Sequence, residues 1–545
     1  MKSRITKNLF FLVLMLTSDM AFGQSGTSGF SYFIYSLIGV AVLILLFLVV
    51  QVADNLLAVE AKSIGADDGK SNFSIFPRFS ELFAPKTPDF VGESSVTYLK
   101  QGHDILLEGA PESTEVQEGT ATTFAVQPPN FIGLAPIPKV LVEVGDEVKA
   151  GDPIFFDKKV TEVKFVAPVS GEVIAINRGE KRSIAEVVIL ADKEQKYKAL
   201  AAFDLDKGSR EELVAYLMEN GAWSLFQQRP FNVIPAPGDV PRDIFISTFD
   251  SAPLAPDANI VVAGKEAAFQ KGLDVLNQLT TGEVFLGLNA KGEGAPSTAF
   301  TEAEGVEKNW FHGKHPAGNV GIQIHHTKPI GGQDKVWTLG VQEVITLGTM
   351  FLEGKYDASR VIVVSGAEIS EPKYVRTALG AKVGDLVKDQ TVADNVRYIS
   401  GDVLSGEQKT ADQFLNFHDD QLTVIAEGDY YELFGWLLPL SPRPSVSGTF
   451  PNFLFPDARF KADSNTHGER RAFVVTGQYE KVLPMDLYPQ HLMKAILVND
   501  FERMEGLGIY ELAEEDLALC EFVCTSKQPL QQILREGLDT MREQS

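Results

Sequence analysis

The chain begins with two apolar segments, and the first has the pattern of a secretory signal. Lys2, Arg4 and Lys7 precede an apolar run from Leu9 to Leu16. Small residues then flank Phe22 in Ala21-Phe22-Gly23, as at a signal cleavage site. This pattern predicts a signal-peptide-like segment over residues 1–23.

The second apolar segment has the length of a membrane span. No charged residue falls between Met20 and Ala53, and Tyr32–Val52 is long enough for a transmembrane helix of about 20 residues. Residues 17–30 contain no Lys or Arg, whereas Lys62, Lys70, Arg78 and Lys86 follow the span. Because positive residues favour the cytoplasmic side, we expect a bacterial inner-membrane protein with a large cytoplasmic C-terminal body. It would cross the membrane once if the signal is cleaved and twice if it is retained.

Residues 53–95 are predicted to be a linker. Gly65, Gly69 and the prolines at 77, 85 and 88 interrupt any regular helix or strand pattern. Phenylalanines at 73, 76, 79 and 83 recur at three- and four-residue spacing, which equally suits a short amphipathic helix on a membrane or a partner.

From residue 136 to 182 the pattern changes to short alternating strands and tight Gly-Asp turns. The series V-G-D-E-V at 144–148, A-G-D at 150–152 and A-P-V-S-G at 167–171 resembles the barrel-sandwich hybrid of lipoyl and biotinyl domains. Those carriers hold a modified lysine at a hairpin tip, where this chain has Lys158 and Lys159. No Met-Lys-Met surrounds them, so we expect an unmodified tip.

An α/β pattern follows. Residues 209–220 predict an amphipathic helix that ends at Gly221. Strands are predicted over 243–247, 259–263 and 283–288, with a helix over 265–279, which makes a βαβ unit. The turn Ala263-Gly264-Lys265-Glu266 carries neither a G-x-G-x-x-G fingerprint nor a P-loop, so we expect a Rossmann-like domain without its phosphate cradle. Residues 359–366 and 422–428 predict further strands, and residues 373–386 predict a β-grasp element with a Gly-Asp turn.

Four of the eight histidines fall close together, at His312, His315, His325 and His326. The first two are expected in a Gly- and Pro-rich loop, and the adjacent pair would point to opposite faces of a strand. No H-E-x-x-H or other ligand spacing accompanies them, so we expect structural or interface histidines rather than a metal site.

Composition excludes several function classes. The 49 Lys and Arg against 73 Asp and Glu give a net charge of −24, which argues against a nucleic-acid-binding protein. Two cysteines, Cys520 and Cys524, cannot make a disulfide scaffold or ligate a four-cysteine iron–sulfur cluster alone. At i, i+4 spacing we expect them to be small buried hydrophobes.

Several uncommon strings resemble the A subunit of the Na⁺-translocating NADH:quinone reductase. They are Tyr98–Asp104, Phe156–Lys159, Ala175–Arg182, Gly313–Gly318, Ile324–His326, Gly428–Trp436 and Asp516–Cys524. The resemblance covers about residues 96–545, and the N-terminal segment is a departure from the family. A weaker likeness over Gly318–Leu386 is to the NADH- and FMN-binding subunit of respiratory complex I, although the flavin loops and cysteine clusters are missing.

The resemblance implies an α/β multidomain fold, which in this chain would follow the one transmembrane helix predicted from the apolar segment Tyr32–Val52. Its parts would be a barrel-sandwich hybrid domain over 96–200, a Rossmann-like domain over 201–358, a β-grasp domain with its connections over 359–470, and a helical C-terminal domain over 471–545. It also implies a cofactor-free subunit of a respiratory complex that couples electron transfer from NADH to quinone with sodium export. FAD, FMN, riboflavin and iron–sulfur centres would sit on the partner subunits.

No catalytic, cofactor-binding or metal-binding residue is assigned on this basis. His315, His325, Lys158 and Lys159 are candidates for interface or quinone-proximal contacts. Two alternatives are a membrane-anchored adaptor with a lipoyl-like domain and a free-standing flavin or NAD dehydrogenase. The first should carry a long coiled-coil hairpin between the halves of the β-module, and the second should carry phosphate-binding loops.

Overall fold

The computed structural model describes residues 87–135, 137–292, 294–435, 442–447 and 450–544, and isolated helical positions at 37–39, 41, 42, 45, 49 and 53. The signal-like segment 1–23 lies outside the described residues, as do most of Tyr32–Val52 and of the linker. Within the residues that are described, no helix is both long and apolar enough to cross a membrane. The chain divides into two compact units, Met1–Lys86 and Thr87–Ser545.

Short strands alternate with helices along the second unit, Thr87–Ser545. The strands are β1 Val96–Tyr98, β2 Val116–Glu118, β3 Thr123–Val126, β4 Lys139–Val140, β5 Glu147–Val148, β6 Pro153–Phe156, β7 Lys164–Val166, β8 Gly171–Arg178, β9 Ile184–Ala191, β10 Gln227–Arg229, β11 Asp243–Ser247, β12 Val284–Asn289, β13 Glu307–His312, β14 Val336–Leu339, β15 Ser359–Ser365, β16 Lys373–Ala378, β17 Val396–Ser400, β18 Glu407–Lys409 and β19 Gln421–Ala426.

The helices of this unit lie between the strands and, in its last part, follow one another. They are α1 Arg210–Glu219, α2 Ala258–Val262, α3 Glu266–Asn277, α4 Thr298–Thr301, α5 Val320–Thr327, α6 Val341–Glu353, α7 Val383–Leu386, α8 Pro489–Leu497, α9 Phe501–Gly506, α10 Glu514–Val523 and α11 Leu530–Gln544.

The strands form two larger sheets and two smaller ones. The first sheet has the order β1-β13-β12-β11-β14-β10, and its pairs are parallel except for β10 with β14. The second sheet, β18-β17-β19-β15-β16-β2, is mixed. The sheets β3-β9-β8-β5 and β4-β6-β7 are antiparallel. The predicted α/β multidomain architecture with mixed sheets is confirmed.

The sheets do not correspond to contiguous stretches of sequence. Strand β1 pairs in parallel with β13, with Val96 opposite Trp310, although β1 precedes the two small sheets in the chain. Strand β2 pairs in parallel with β16, with Tyr374 opposite Val116. The segment that carries β1 and β2 therefore contributes a strand to both larger sheets, and the two small sheets follow it in the chain.

Two packing centres hold the unit together. In one, Trp223 and Trp337 meet edge to face at 5.3 Å, and each indole nitrogen donates a hydrogen bond, to the Pro235 carbonyl and to the Gln228 side chain respectively. In the other, helices α8 to α11 bury a cluster that also includes Leu99, Ile105 and Leu107 from the beginning of the unit. Buried aromatic and aliphatic side chains of this kind supply most of the stabilisation of a fold.

Most predicted elements of the α/β region form, and two do not. Helix α1 begins at a capping box of Ser209 with Glu212 and ends before Gly221, whose φ of 80° suits glycine. The strand predicted over 259–263 is wrong, because this segment is helix α2, started by the Asp257 side chain accepting from the Asn259 N–H. The turn predicted near residue 384 is instead the short helix α7.

Candidate functional site

A cleft opens at the carboxyl ends of the parallel strands of the first sheet, where α/β proteins commonly bind ligands. Its volume is about 460 Å³. Ser247 at the end of β11 and Leu339 at the end of β14 form its floor, and helix α6 begins beside it. The second sheet and helices α10 and α11 supply the other walls. The cleft is thus a meeting point of three parts of the fold.

The lining of this cleft is strongly acidic. Among the described residues, carboxyl side chains line it and no Lys or Arg does; they are Asp250, Glu343, Asp402, Asp419, Asp420, Glu514 and Glu515. A phosphate placed here would meet like charges without a cationic partner. Coulomb repulsion therefore opposes the binding of a nucleotide.

Arginines neutralise part of this charge from behind the walls. Buried Arg360 donates to Glu343 at 2.6 Å, and buried Arg229 donates to Glu515 at 2.9 Å. Arg535 donates to Glu514 at 3.1 Å. In the Arg360–Glu343 pair both side chains are buried, so removing either partner would leave a buried charge uncompensated.

The carboxyl groups of Asp419 and Asp420 differ from exposed ones in their protonation. Burial raises the pKa of Asp420 to about 7, against the opposing effect of the Arg360 guanidinium. Burial also raises the pKa of Asp419, whose carboxylate accepts from Ser400 Oγ at 2.6 Å. The pKa of neighbouring His418 is lowered to about 4 by burial. Asp420 therefore changes its charge near neutral pH.

Carboxylates of their own helices cover the N-termini of α6 and α3. At the start of α6, the position that a Cβ on Gly340 would take lies against the Glu343 carboxylate, so this side chain folds over the helix N-terminus. At the start of α3, Glu266 accepts from the Gly264 N–H at 2.9 Å. Helix N-termini attract anions. At the N-termini of both α6 and α3, that anion is a carboxylate from the same helix. Of these two, the start of α6 lines the cleft, and there the Glu343 carboxylate lies where a phosphate could otherwise bind.

Three of the four clustered histidines, His315, His325 and His326, have side-chain hydrogen-bond partners that differ from one another. His312 ends strand β13 and His315 precedes a cis Pro316, whereas His325 and His326 lie on helix α5. The backbone N–H of His315 donates to Asp104 at 2.9 Å, and its Nδ1 lies 3.1 Å from Ser251 Oγ. Within the described part of the chain no group of three or more His, Cys, Asp or Glu could hold a metal ion.

His325 and His326 join helix α5 to the C-terminal part of the chain. His325 Nδ1 lies 2.7 Å from Glu511, and its Nε2 accepts from the Asp486 N–H at 3.1 Å. His326 Nε2 donates to the Pro484 carbonyl at 2.6 Å. Both nitrogens of His325 are therefore used within the chain. His325 has no nitrogen left for a ligand.

Lys158 and Lys159 lie on the hairpin between β6 and β7, and both are exposed. The Lys159 N–H donates to the carboxylate of buried Asp157 at 2.8 Å, which also accepts from the Ala135 N–H. Neither lysine lines the acidic cleft. The candidate residues predicted from the sequence are thus not brought together in one site.

Comparison with protein families gives matches along most of this unit. The NqrA N-terminal barrel-sandwich hybrid domain matches residues 97–192, and the NqrA second alpha/beta domain matches residues 208–356. The NQRA C-terminal domain matches residues 361–411. The predicted barrel-sandwich hybrid domain is confirmed by the first of these.

Whole relatives match as well. The A subunit of the Na⁺-translocating NADH-quinone reductase of Alcanivorax borkumensis is 38% identical over 447 residues, which are 81% of this chain and 98% of that protein. The corresponding protein from Rhodopirellula baltica is 38% identical over 456 residues, 83% of this chain and 99% of its own. The chain belongs to the NqrA family, the family of these A subunits.

Solved structures add nothing to this assignment. An NAD⁺-reducing [NiFe]-hydrogenase in the air-oxidized state is 11% identical, with a TM-score of 0.31 over 64% of this chain and 72% of that one. The H₂-reduced state gives a TM-score of 0.32 over 64% of this chain and 67% of the hydrogenase chain. Likeness at this level carries no argument about fold or function.

The two cysteines of this NqrA family member are buried on helix α10 and its end. The Tyr479 hydroxyl donates to Cys524 Sγ at 2.9 Å, and burial raises the pKa of the Cys520 thiol. The prediction that both are small buried side chains is confirmed. A thiol with a raised pKa is a poor nucleophile and a poor metal ligand.

The acidic cleft was not predicted from the sequence. Its carboxyl groups come from five separate stretches between residues 250 and 515. The adjacent pairs Asp419-Asp420 and Glu514-Glu515 are the signal available in the sequence, but such pairs are also common on solvated surfaces.

Proposed function

We propose that this chain is the A subunit of a respiratory Na⁺-translocating NADH:quinone oxidoreductase and holds no redox centre of its own. The observation that carries the proposal is the match over nearly the full length of relatives that bear this name. The complex would couple electron transfer from NADH to quinone with sodium export. The chain would be part of an enzyme without performing the chemistry itself.

The lining of the cleft supports the cofactor-free part of the proposal. We take the first sheet to be Rossmann-like and the second to belong to a β-grasp domain, as expected from the sequence. The usual nucleotide position of such a fold is lined here by carboxylates, and Glu343 covers the start of α6. FAD, FMN, riboflavin and the iron–sulfur centres would then be carried by the partner subunits.

The proposal includes membrane attachment through Tyr32–Val52. The absence of charge between Met20 and Ala53 and the lysines and arginine that follow support a body on the cytoplasmic side of a bacterial inner membrane. Quinone would be a ligand of the assembled complex. No residue of this chain is assigned to quinone, and of the four candidates His325 is fully engaged in internal bonds.

The adaptor alternative is not supported by the β-module. Its β6 and β7 strands are joined by residues 157–163 alone, which cannot form the long coiled-coil hairpin that an adaptor needs. No described feature of the fold favours this second function over the first.

The cofactor-free part of the proposal is tested by the visible absorbance of the purified full-length chain. We expect the chain to show no flavin or iron–sulfur bands at a stoichiometry near one. Acid extraction of the same sample, followed by fluorescence, would reveal any released flavin. A stoichiometric flavin or iron–sulfur spectrum would contradict the proposal.

A further inference from the structure

A second and larger cavity lies between the second sheet, the segments 442–447 and 450–471, and the C-terminal helices. Its volume is about 1210 Å³. Arg397 and Ile399 of β17 form one wall, and residues Glu521–Pro529, at the end of α10 and beyond, form another. Nothing in the proposed function uses this space.

The charge of this cavity is opposite to that of the cleft. Its cationic lining residues are Arg397, Arg443, Lys461, Arg471, Lys481 and Lys527. The acidic lining residues are fewer: Asp463, Glu469 and Glu521. Within such a lining, an anion is favoured at a cation that has no carboxylate partner of its own.

Some of these cations are already paired, and Lys527 is not. Arg397 lies 2.5 Å from Glu427, Arg443 lies 2.8 Å from Glu432, and Lys461 lies 2.6 Å from Glu368. Among the described residues no carboxylate lies within ion-pair distance of the Lys527 ammonium. Burial and the nearby Arg443 guanidinium lower the pKa of Lys527. A half-buried cation beside another cation is costly unless an anion joins them.

The same cavity also offers an apolar surface. Ile105, Leu107, Val403 and Leu404 line it, together with Phe450 and Phe522. The Arg443 guanidinium covers the Phe450 ring at 4.7 Å, so charged and apolar lining are in direct contact. Ligand sites of proteins commonly combine an apolar lining with a few placed polar groups.

We propose that this cavity binds an amphipathic anion, with a phosphate headgroup near Lys527 and Arg443 and an apolar body against Phe450 and Phe522. The headgroup would supply the anionic partner that Lys527 lacks. The apolar body would cover side chains that otherwise face water. The proposal does not depend on the function of the complex, because it concerns the lining of this chain alone.

The test is equilibrium binding of 1-naphthyl phosphate to the purified full-length chain, measured by calorimetry at low salt. Inorganic phosphate and uncharged 1-naphthol are the comparison ligands. We expect 1-naphthyl phosphate to bind at least about tenfold more tightly than either, which corresponds to about 1.4 kcal/mol. Equal binding of 1-naphthyl phosphate and 1-naphthol would overturn the proposal.

Variants locate the binding in the cavity. Lys527→Gln should weaken 1-naphthyl phosphate binding about tenfold, and Lys527→Glu should weaken it further. Lys193→Gln, which removes an exposed lysine of the β-module after β9, is the matched control and should bind like the parent chain. Circular dichroism checks that all variants fold. Unchanged binding in both Lys527 variants would place the ligand elsewhere and refute the assignment.

Competition distinguishes a lipid headgroup from a soluble phosphate ester. Phosphatidylglycerol in mixed micelles should displace 1-naphthyl phosphate if the natural ligand is an anionic lipid, whereas phosphatidylcholine should not. Retained binding in the presence of phosphatidylglycerol would assign the cavity to a soluble ester. Displacement by both lipids equally would show that charge does not govern the site, and would contradict the proposal.

Discussion

Single residues decide what the cleft of the first sheet can hold. Glu343 both covers the start of α6 and receives the buried Arg360 guanidinium at 2.6 Å. In a nucleotide-binding protein of this architecture a phosphate would take that place.

The titration of Asp420 gives a prediction for stability. In the folded chain its pKa is about 7, well above the ordinary value. At a pH below the ordinary aspartate pKa, Asp420 is protonated in both the folded and the unfolded chain. The full stability of the folded chain with a neutral Asp420 is then present. As the pH rises towards and through about 7, the folded state is forced to ionise a half-buried carboxyl group, and this stability is lost.

Asp420→Asn cannot ionise, so its melting temperature should exceed that of the parent chain at about pH 8 by about 2–4 °C. The difference should shrink at about pH 5.5. Differential scanning fluorimetry at both values measures it, and Asp206→Asn, at an exposed site, is the control with no expected difference. A melting-temperature difference between Asp420→Asn and the parent chain that grows as the pH falls would contradict the expected direction of the effect.

At the scale of elements, helices α3 and α6 cross at two glycines. A Cβ on Gly348 would collide with the Ala268 carbonyl oxygen, and a Cβ on Gly272 would collide with the Val344 carbonyl oxygen. These close approaches are possible because neither residue has a side chain. The crossing fixes the position of α6, and therefore of Glu343 at its first turn, relative to the cleft.

Gly348→Ala should lower the melting temperature by several degrees, because the added methyl group forces the helices apart at a cost of about 1–3 kcal/mol. Gly506→Ala is the matched control: it lies at the end of α9 with no neighbouring atom near the new methyl group, so alanine should be neutral or slightly stabilising. Thermal unfolding followed by circular dichroism measures both. An equal decrease in melting temperature in the two variants would show that the helix crossing is not the cause of the decrease in Gly348→Ala.

The elements themselves were largely predictable from local pattern. Strands β11, β12, β15 and β19 are apolar runs, and helix α1 carries its cap and terminal glycine in the sequence. The segment 258–262 was mistaken for a strand because its β-branched residues resemble one, whereas the Asp257 cap and packing against α6 make it helical.

At the scale of the whole molecule, the arrangement of sheets could not be predicted from the sequence. Strands β1 and β2 pair with β13 and β16, more than two hundred residues later in the chain, and no local pattern encodes such a pairing. The acidic cleft depends on it too, because its walls come from the first sheet, the second sheet and the C-terminal helices. Family resemblance, carried by short strings, predicted the barrel-sandwich hybrid domain but not this assembly.

The central claim is that the chain works as a subunit of a sodium-translocating NADH:quinone reductase. Affinity capture through a tag after Ser545 from detergent-solubilised membranes tests it most directly, with quinone reduction by NADH assayed in the captured material. Membranes carrying the untagged chain are the control. We predict capture of a multisubunit assembly whose quinone reduction is stimulated by Na⁺. Capture of the chain alone, or of an assembly whose activity ignores Na⁺, would contradict the claim.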